Sequence, residues 1–228
     1  MAVYGARGDS ALDLSGVVAV IKALVTGGHR GIGLAVRNQL QRLANFDICY
    51  SYDLESGNDV ANYDQFARHI AAIGKIDLLV NCAGVCIFKP FSEMTLQEYE
   101  RTINVNLLGV MNCCHAAIPH LKGGDIINIA SRAGAYGHAG LAAYCASKAS
   151  VMQFSEALAL DLRPLGIRVG YIMPGTVATG LGGVHPIEDW QIPPDDVGRA
   201  VVAMWNMPRT SALGRVEIKP SMLSKGEL

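Results

Sequence analysis

The sequence predicts one α/β domain, a single doubly wound parallel sheet flanked by helices on both faces. Two observations carry that expectation. Short β-rich runs alternate with longer stretches of helical period along most of the chain, the signature of βαβ units. Half of the 228 residues are apolar and 17% are charged, a balance that buries a sizeable core and is too greasy for a disordered chain. No repeat, low-complexity tract or linker divides the chain. Residues 21–228 therefore read as one domain, preceded by an extension over residues 1–20.

The elements follow in order. A first strand is expected over residues 19–26, an apolar run that stops at a glycine pair, with a helix over about 32–44 behind it. Residues 47–52 supply a second strand, and a short extra one is expected near Asp59. A helix over 62–73 leads to an almost wholly apolar strand at 76–81. Thr95 is placed to cap a long helix over 95–120. A strand at 125–130 precedes a second long helix, 141–162. A strand at 167–173 precedes a helix over 195–206 that Pro193-Pro194 introduce and Asp195 caps, and a last strand is expected at 214–218. The connection from Thr179 to Ile192 has glycines, a proline and no strong period, so it reads as a flap over a site or as an ordinary surface connection.

Composition narrows the function. Nineteen basic against twenty acidic residues leave a formal charge of −1 without a Lys/Arg run, so a nucleic-acid or membrane-surface partner lacks its electrostatic footprint. No uninterrupted apolar run is long enough to cross a bilayer, and residues 1–16 lack the pattern of a secretory leader. The six cysteines sit in apolar stretches without metal-ligand spacing, which points to buried thiols in a reducing, cytoplasmic setting and to no metal.

Residues able to do chemistry gather after the expected strands. The first strand runs into TGGHRGIG, Thr26 to Gly33, where glycines let the backbone turn tightly and let a pyrophosphate approach the amides that open a helix. A strand-to-helix turn also collects glycines for packing alone. Asn81, Ala83 and Gly84 follow the third strand; an amide there can tie two strand ends, and the small residues leave room for a flat ligand, while the bland reading is a simple turn. Tyr144 and Lys148 share one face of a helix, and an ammonium beside a phenol favours the phenolate and makes a proton donor and acceptor of it. A solvated Tyr/Lys pair is the commonplace alternative. Ser131 ends the strand at 125–130 with a hydroxyl to offer a substrate oxygen, and Asn106, in the long helix, either faces the same cleft or bends that helix. Pro174-Gly175-Thr176 ends another strand. In an open parallel sheet such strand ends share one crevice, and their convergence there favours a ligand site over packing.

These residues resemble the short-chain dehydrogenase/reductase family over about 21–220. TGGHRGIG looks like that family's cofactor turn, Asp59-Val60 like its adenine contact, NCAG (81–84) like its strand-stabilising motif, and Asn106 like its asparagine. Ser131, Tyr144 in YxxxK, and PGTVAT (174–179) complete the pattern. The resemblance implies a Rossmann-type fold and an oxidoreductase moving a hydride between NAD or NADP and a carbonyl or secondary alcohol. It implies Tyr144 as general acid/base, Lys148 holding the nicotinamide ribose and lowering the tyrosine pKa, Ser131 orienting the substrate, and Asn106 supporting a proton relay. Thr26, Gly27, Arg30, Gly31, Ile32, Gly33, Asp53, Asp59, Val60, Asn81, Ala83, Gly84, Pro174, Gly175, Val177 and Thr179 would contact the cofactor with Tyr144 and Lys148. Asp53, at the end of the second strand, can accept ribose hydroxyls and favours NAD; Arg30 could pair with the extra phosphate of NADP. Arg132, Tyr136, His138, Leu181 and His185 are candidate substrate neighbours. The chain departs from the family in its long lead, in a connection from Asp53 to Asp59 too short for the usual helix, and in its brief flap. The rival reading is a non-catalytic dinucleotide-binding redox sensor or structural module, which predicts a degraded set of catalytic residues. Apolar residues on both long helices, among them Val110, Met111, Cys113, Ala116, Ala117, Met152, Phe154, Leu158 and Leu160, exceed what one sheet face covers, so a homodimer or homotetramer is expected.

Overall fold

The computed structural model describes residues 21–43, 46–121, 123–183 and 187–222, with residues 46–48 described by their backbone alone. The extension over 1–20, the first two residues of the expected first strand and His185 lie outside it. Strand β1 (Ile21–Thr26) leads to α1 (Gly31–Gln41), β2 (Phe46–Tyr52), α2 (Tyr63–Ile73), β3 (Leu78–Asn81), α3 (Leu96–Ile103) and α4 (Gly109–Ala117). Then come β4 (Asp125–Ile129), α5 (Ala142–Leu162), β5 (Arg168–Pro174), α6 (Pro194–Trp205) and β6 (Arg215–Ile218). The strands make one six-stranded sheet in the order β2-β1-β3-β4-β5-β6, and each of these pairings is parallel.

Alternation along each strand divides the core in two. Leu24, Leu79 and Ile126 point to one face and pack with Phe66 and Ile70 of α2, Cys113 of α4 and Val151 of α5. Val25, Val80 and Ile127 point to the other, against Val36 and Leu40 of α1 and Val197 and Val201 of α6. A strand covered on both faces must be apolar at nearly every position, which is why these strands read as runs rather than alternations.

Four expectations are corrected. The strand near Asp59 does not form: Leu54–Ser56 make a 3-10 turn closed by Gly57 at φ 78°, and the Asp59 carboxylate accepts from the Ala61 amide at 2.9 Å. Short polar side chains that bond their own backbone compete with a ladder, so β2 stays at the sheet edge. The expected helix over 95–120 is jointed. Thr95 opens α3 with a capping box, its hydroxyl accepting from the Glu98 amide at 3.3 Å while Glu98 accepts from the Thr95 amide at 2.7 Å. A π-helical turn, Asn104–Leu108, then separates α3 from α4, and a 3-10 turn containing Pro119 ends the run. Asp195 does not cap α6; Pro193 is the N-cap, Pro194 the first helical residue, and Asp195 accepts from Gln39 Nε2 of α1 at 3.0 Å. Finally, Val110, Cys113, Ala116 and Ala117 are buried in the fold rather than left as surplus surface, whereas Leu108, Met111 and Leu160 are exposed.

Candidate active site

The C-terminal ends of the strands open on a cleft of about 1460 Å³. That exceeds the roughly 300–1,000 Å³ of a typical small-ligand pocket and suits a long ligand with a second molecule beside it. Its floor and walls come from the loop after each strand, from α3 and the π-helical turn that follows it, and from the first turns of α5.

At one end lies the glycine turn. Gly27 has φ 65°, and a Cβ on it would stand 2.8 Å from Ala83 Cα; a Cβ on Gly33 would collide with the Gly27 carbonyl. Arg30, the N-cap of α1, is extended and makes no side-chain cap, and no acidic residue sits in the first turn. The helix therefore presents its opening amides and dipole to the cleft without a built-in anion. Thr26 is not on the wall: its Oγ1 accepts from the Cys82 and Ala83 amides, each at 3.1 Å, and ties the loops after β1 and β3.

Asp53, after β2, is 6% exposed and lines the cleft. Ser51 Oγ donates to its Oδ2 at 2.5 Å, while its Oδ1 has no hydrogen-bond partner among the described residues, with His29 Nδ1 3.5 Å away. Exposed Arg30 reaches toward Glu55, Nε to Oε1 3.8 Å. Asp59, Val60, Ala83 and Gly84 line the same wall. Asn81 does not: its amide donates to Asn128 Oδ1 at 2.8 Å and Cys114 Sγ at 3.2 Å, and Asn128 donates to Ser155 Oγ at 2.8 Å. That buried chain locks β3 and β4 to α4 and α5.

At the other end stand Ser131, Tyr144 and Lys148. Ser131 caps a short turn, its Oγ accepting from the Ala133 amide at 3.1 Å, and its side chain is hydrogen-bonded to Tyr144. Lys148 Nζ donates to the Ile129 carbonyl at 2.8 Å and lies 5.8 Å from the centre of the Tyr144 ring. Burial pulls the lysine down to about 8, partly opposed by the Cys82 and Cys86 thiols. Burial also pushes the Tyr144 phenol well above its ordinary 10, and the Ser131 bond only partly offsets this. Desolvation is the largest influence on both groups, and the Lys148 ammonium donates to a backbone carbonyl rather than to the Tyr144 hydroxyl. Asn106 is fully buried behind the wall. Its Oδ1 accepts from the Val85 amide at 2.8 Å, and its Nδ2 donates to the Val85 carbonyl at 2.9 Å and to Ser147 Oγ at 3.1 Å. It lies in the π-helical turn between α3 and α4 and clamps the loop after β3 to α5.

A family model for short chain dehydrogenases matches residues 35–186, more than half of the chain. The chain belongs to the short-chain dehydrogenase/reductase family. It is 34% identical over 201 residues to the acetoacetyl-CoA reductase of Shinella zoogloeoides, covering 78% of this chain and 83% of that protein. It is 32% identical over 195 residues to the 3-hydroxyacyl-CoA dehydrogenase type-2 of Homo sapiens, covering 70% and 74%. Among solved structures, the closed form of a serine dehydrogenase complexed with NADP+ superposes with TM-score 0.80 at 27% identity, covering 91% of this chain and 98% of that one. The family is one of oxidoreductases that bind NAD(P).

Beyond the residues already placed, Pro174, Gly175, Val177 and Thr179 of this short-chain dehydrogenase/reductase line the cleft after β5. The flap behind them is pinned at its base: Val177 and Ile192 form a parallel bridge, with the Ala178 amide donating to the Ile192 carbonyl at 2.9 Å. Arg132, His138 and Leu181 line the cleft, and Tyr136 does not. Sequence reasoning missed Cys86, Phe88, Lys219 and Pro220 on the wall. They follow the ends of β3 and β6, and the rule that picked out the other strand ends reaches them. Gln97 and Arg101 enter from α3, for which the sequence carries no signal.

Proposed function

We propose that the protein transfers a hydride between a nicotinamide dinucleotide and the carbonyl or secondary alcohol of a small molecule. The observation that carries this reading is the presence of Ser131, Tyr144 and Lys148 in one continuous cleft with the glycine turn. The residues fit the dinucleotide: the uncapped start of α1 suits a pyrophosphate, and the orphaned Asp53 Oδ1 suits a ribose hydroxyl. When bound, the nicotinamide gives or takes the hydride. Ser131 orients the substrate oxygen, Tyr144 exchanges a proton with it, and Lys148 holds the ribose beside it. Burial favours the protonated Tyr144 hydroxyl, the form that gives a proton in the reductive direction. Asn106, with its side chain committed to Val85 and Ser147, acts as a positioning residue.

NAD is the favoured form, because a buried carboxylate opposes the dianionic phosphate of NADP, and Arg30, the counterweight, already leans on Glu55. Six free cysteines support a reducing, cytoplasmic setting, and residues 21–228 form the catalytic domain. The test is a panel of ketones and alcohols followed at the nicotinamide absorbance with both cofactors. Turnover with a preference for NADH that Asp53→Ala weakens is expected; a preference for NADPH that the substitution leaves unchanged would remove Asp53 from the ribose.

A further inference from the structure

Arg132 directly follows Ser131 and lines the cleft, yet the acid/base chemistry leaves it unused. Its Nε donates to Glu217 Oε1 of β6 at 2.9 Å, its guanidinium lies 5.2 Å from the centre of the Tyr136 ring, and its stem runs beside Gly175. Neither terminal nitrogen makes a hydrogen bond among the described residues. Glu217 is also shared with Lys219, whose Nζ is 3.5 Å from the same oxygen and which lines the cleft as well. One carboxylate thus answers two cations, and the corner retains positive charge. A planar fork held by an ion pair, a ring and a backbone has lost most of its rotamer freedom, and its two open nitrogens match a carboxylate.

We infer that Arg132, backed by Lys219, is a specificity residue that reads a carboxylate on the substrate, so that the substrate class is an oxo acid or the matching hydroxy acid. The inference rests on the hydride-transfer reading of the same cleft. Ser131 and Arg132 both line the cleft, so one substrate can present its carbonyl to the first and its carboxylate to the second.

The test uses the full chain with NADH and two matched pairs, acetoacetate with methyl acetoacetate and 4-oxopentanoate with its methyl ester. In at least one pair the acid should exceed the ester in kcat/KM by roughly ten-fold or more, through KM, the size of a charge-assisted hydrogen-bond pair. Arg132→Gln should collapse that ratio toward one, and Arg132→Lys should retain part of it. Glu217→Gln keeps an acceptor for Arg132 Nε while removing the negative charge, so it should lower KM for the acid, whereas a merely structural tie between the β4 loop and β6 would raise KM for acid and ester together. Equal use of acid and ester, a ratio that survives Arg132→Gln, or that joint rise in KM overturns the inference while leaving hydride transfer standing. Binding of NADH, seen as fluorescence transfer from protein to cofactor, without turnover of any oxo acid overturns it as well. Absence of both binding and turnover with NADH and with NADPH alike fells the hydride-transfer reading first.

Discussion

At the residue scale, Tyr144 and Lys148 are ordinary side chains made unusual by burial. With its phenol held protonated and bonded to Ser131, Tyr144 offers one removable feature, its hydroxyl. Tyr144→Phe should lower kcat by about 10²–10⁴ with a cofactor dissociation constant within a few-fold of the wild type, measured by turnover and by cofactor fluorescence. Near-normal turnover would end the acid/base assignment. Both residues were legible in the sequence because a four-residue spacing on a helix fixes a shared face. The direction of their pKa shifts was not, because it depends on how completely β4, the loop after β3 and α5 close over them. Nor was the role of Asn106: a sequence marks an amide in a helix, not the Val85 backbone that the amide meets.

At the element scale, the strand-to-loop junctions hold the cleft in shape through a few buried polar ties. Thr26 is 1% exposed, and its hydroxyl serves two amides of the loop after β3. Thr26→Val keeps the volume and strands both amides, so it should cost about 1–3 kcal/mol in chemical denaturation and weaken cofactor binding; an unchanged unfolding midpoint would show that water replaces the tie. Strand and helix identities were readable because the β-rich runs stand between turn residues and capping signals such as Thr95. The π-helical turn at Asn104–Leu108 was not readable. It arises where a helix must carry Asn106 to Val85 and yet continue against the sheet, a demand set by tertiary partners.

At the scale of the molecule, titration of buried thiols should set the alkaline limit of stability. Burial pushes Cys49 up to about 11 and both Cys82 and Cys114 up to about 12, from 9. Above pH 9 the unfolded chain sheds thiol protons that the folded chain keeps. Their stabilisation is therefore full below pH 9 and is lost as pH rises toward 12. Lys148, depressed to about 8 from 10.5, acts the other way between those two values, as one group against several. The denaturation midpoint should fall between about pH 9 and pH 12, and less steeply in Cys114→Ala; a flat profile would contradict this burial. Leu108, Met111 and Leu160 remain exposed, with Phe154 and Leu158 half-buried near them in sequence, so we expect a homodimer or homotetramer through these helices. A monomer at micromolar concentration in sedimentation would rule that out. The single parallel sheet was legible from the alternation of β-rich and helical runs, whereas the edge position of β2 was not, because an extra strand was expected near Asp59 where Leu54–Ser56 make a 3-10 turn.

The wholly parallel sheet also makes assembly a matter of timing. Its strands pair across long separations, Ala23 with Leu78 and Tyr171 with Arg215, so no pair closes through a short hairpin. On a ribosome adding roughly 5–20 residues per second, β5 waits several seconds for β6 to emerge, its edge open and its core face apolar. Glu217 and Lys219 arrive with that strand, so the wall that holds Arg132 is completed only after the rest of the sheet. A nascent chain stalled before Arg215 would carry Ser131, Tyr144 and Lys148 on an unfinished cleft and an exposed sheet edge, a species for chaperones to hold and for proteases to find.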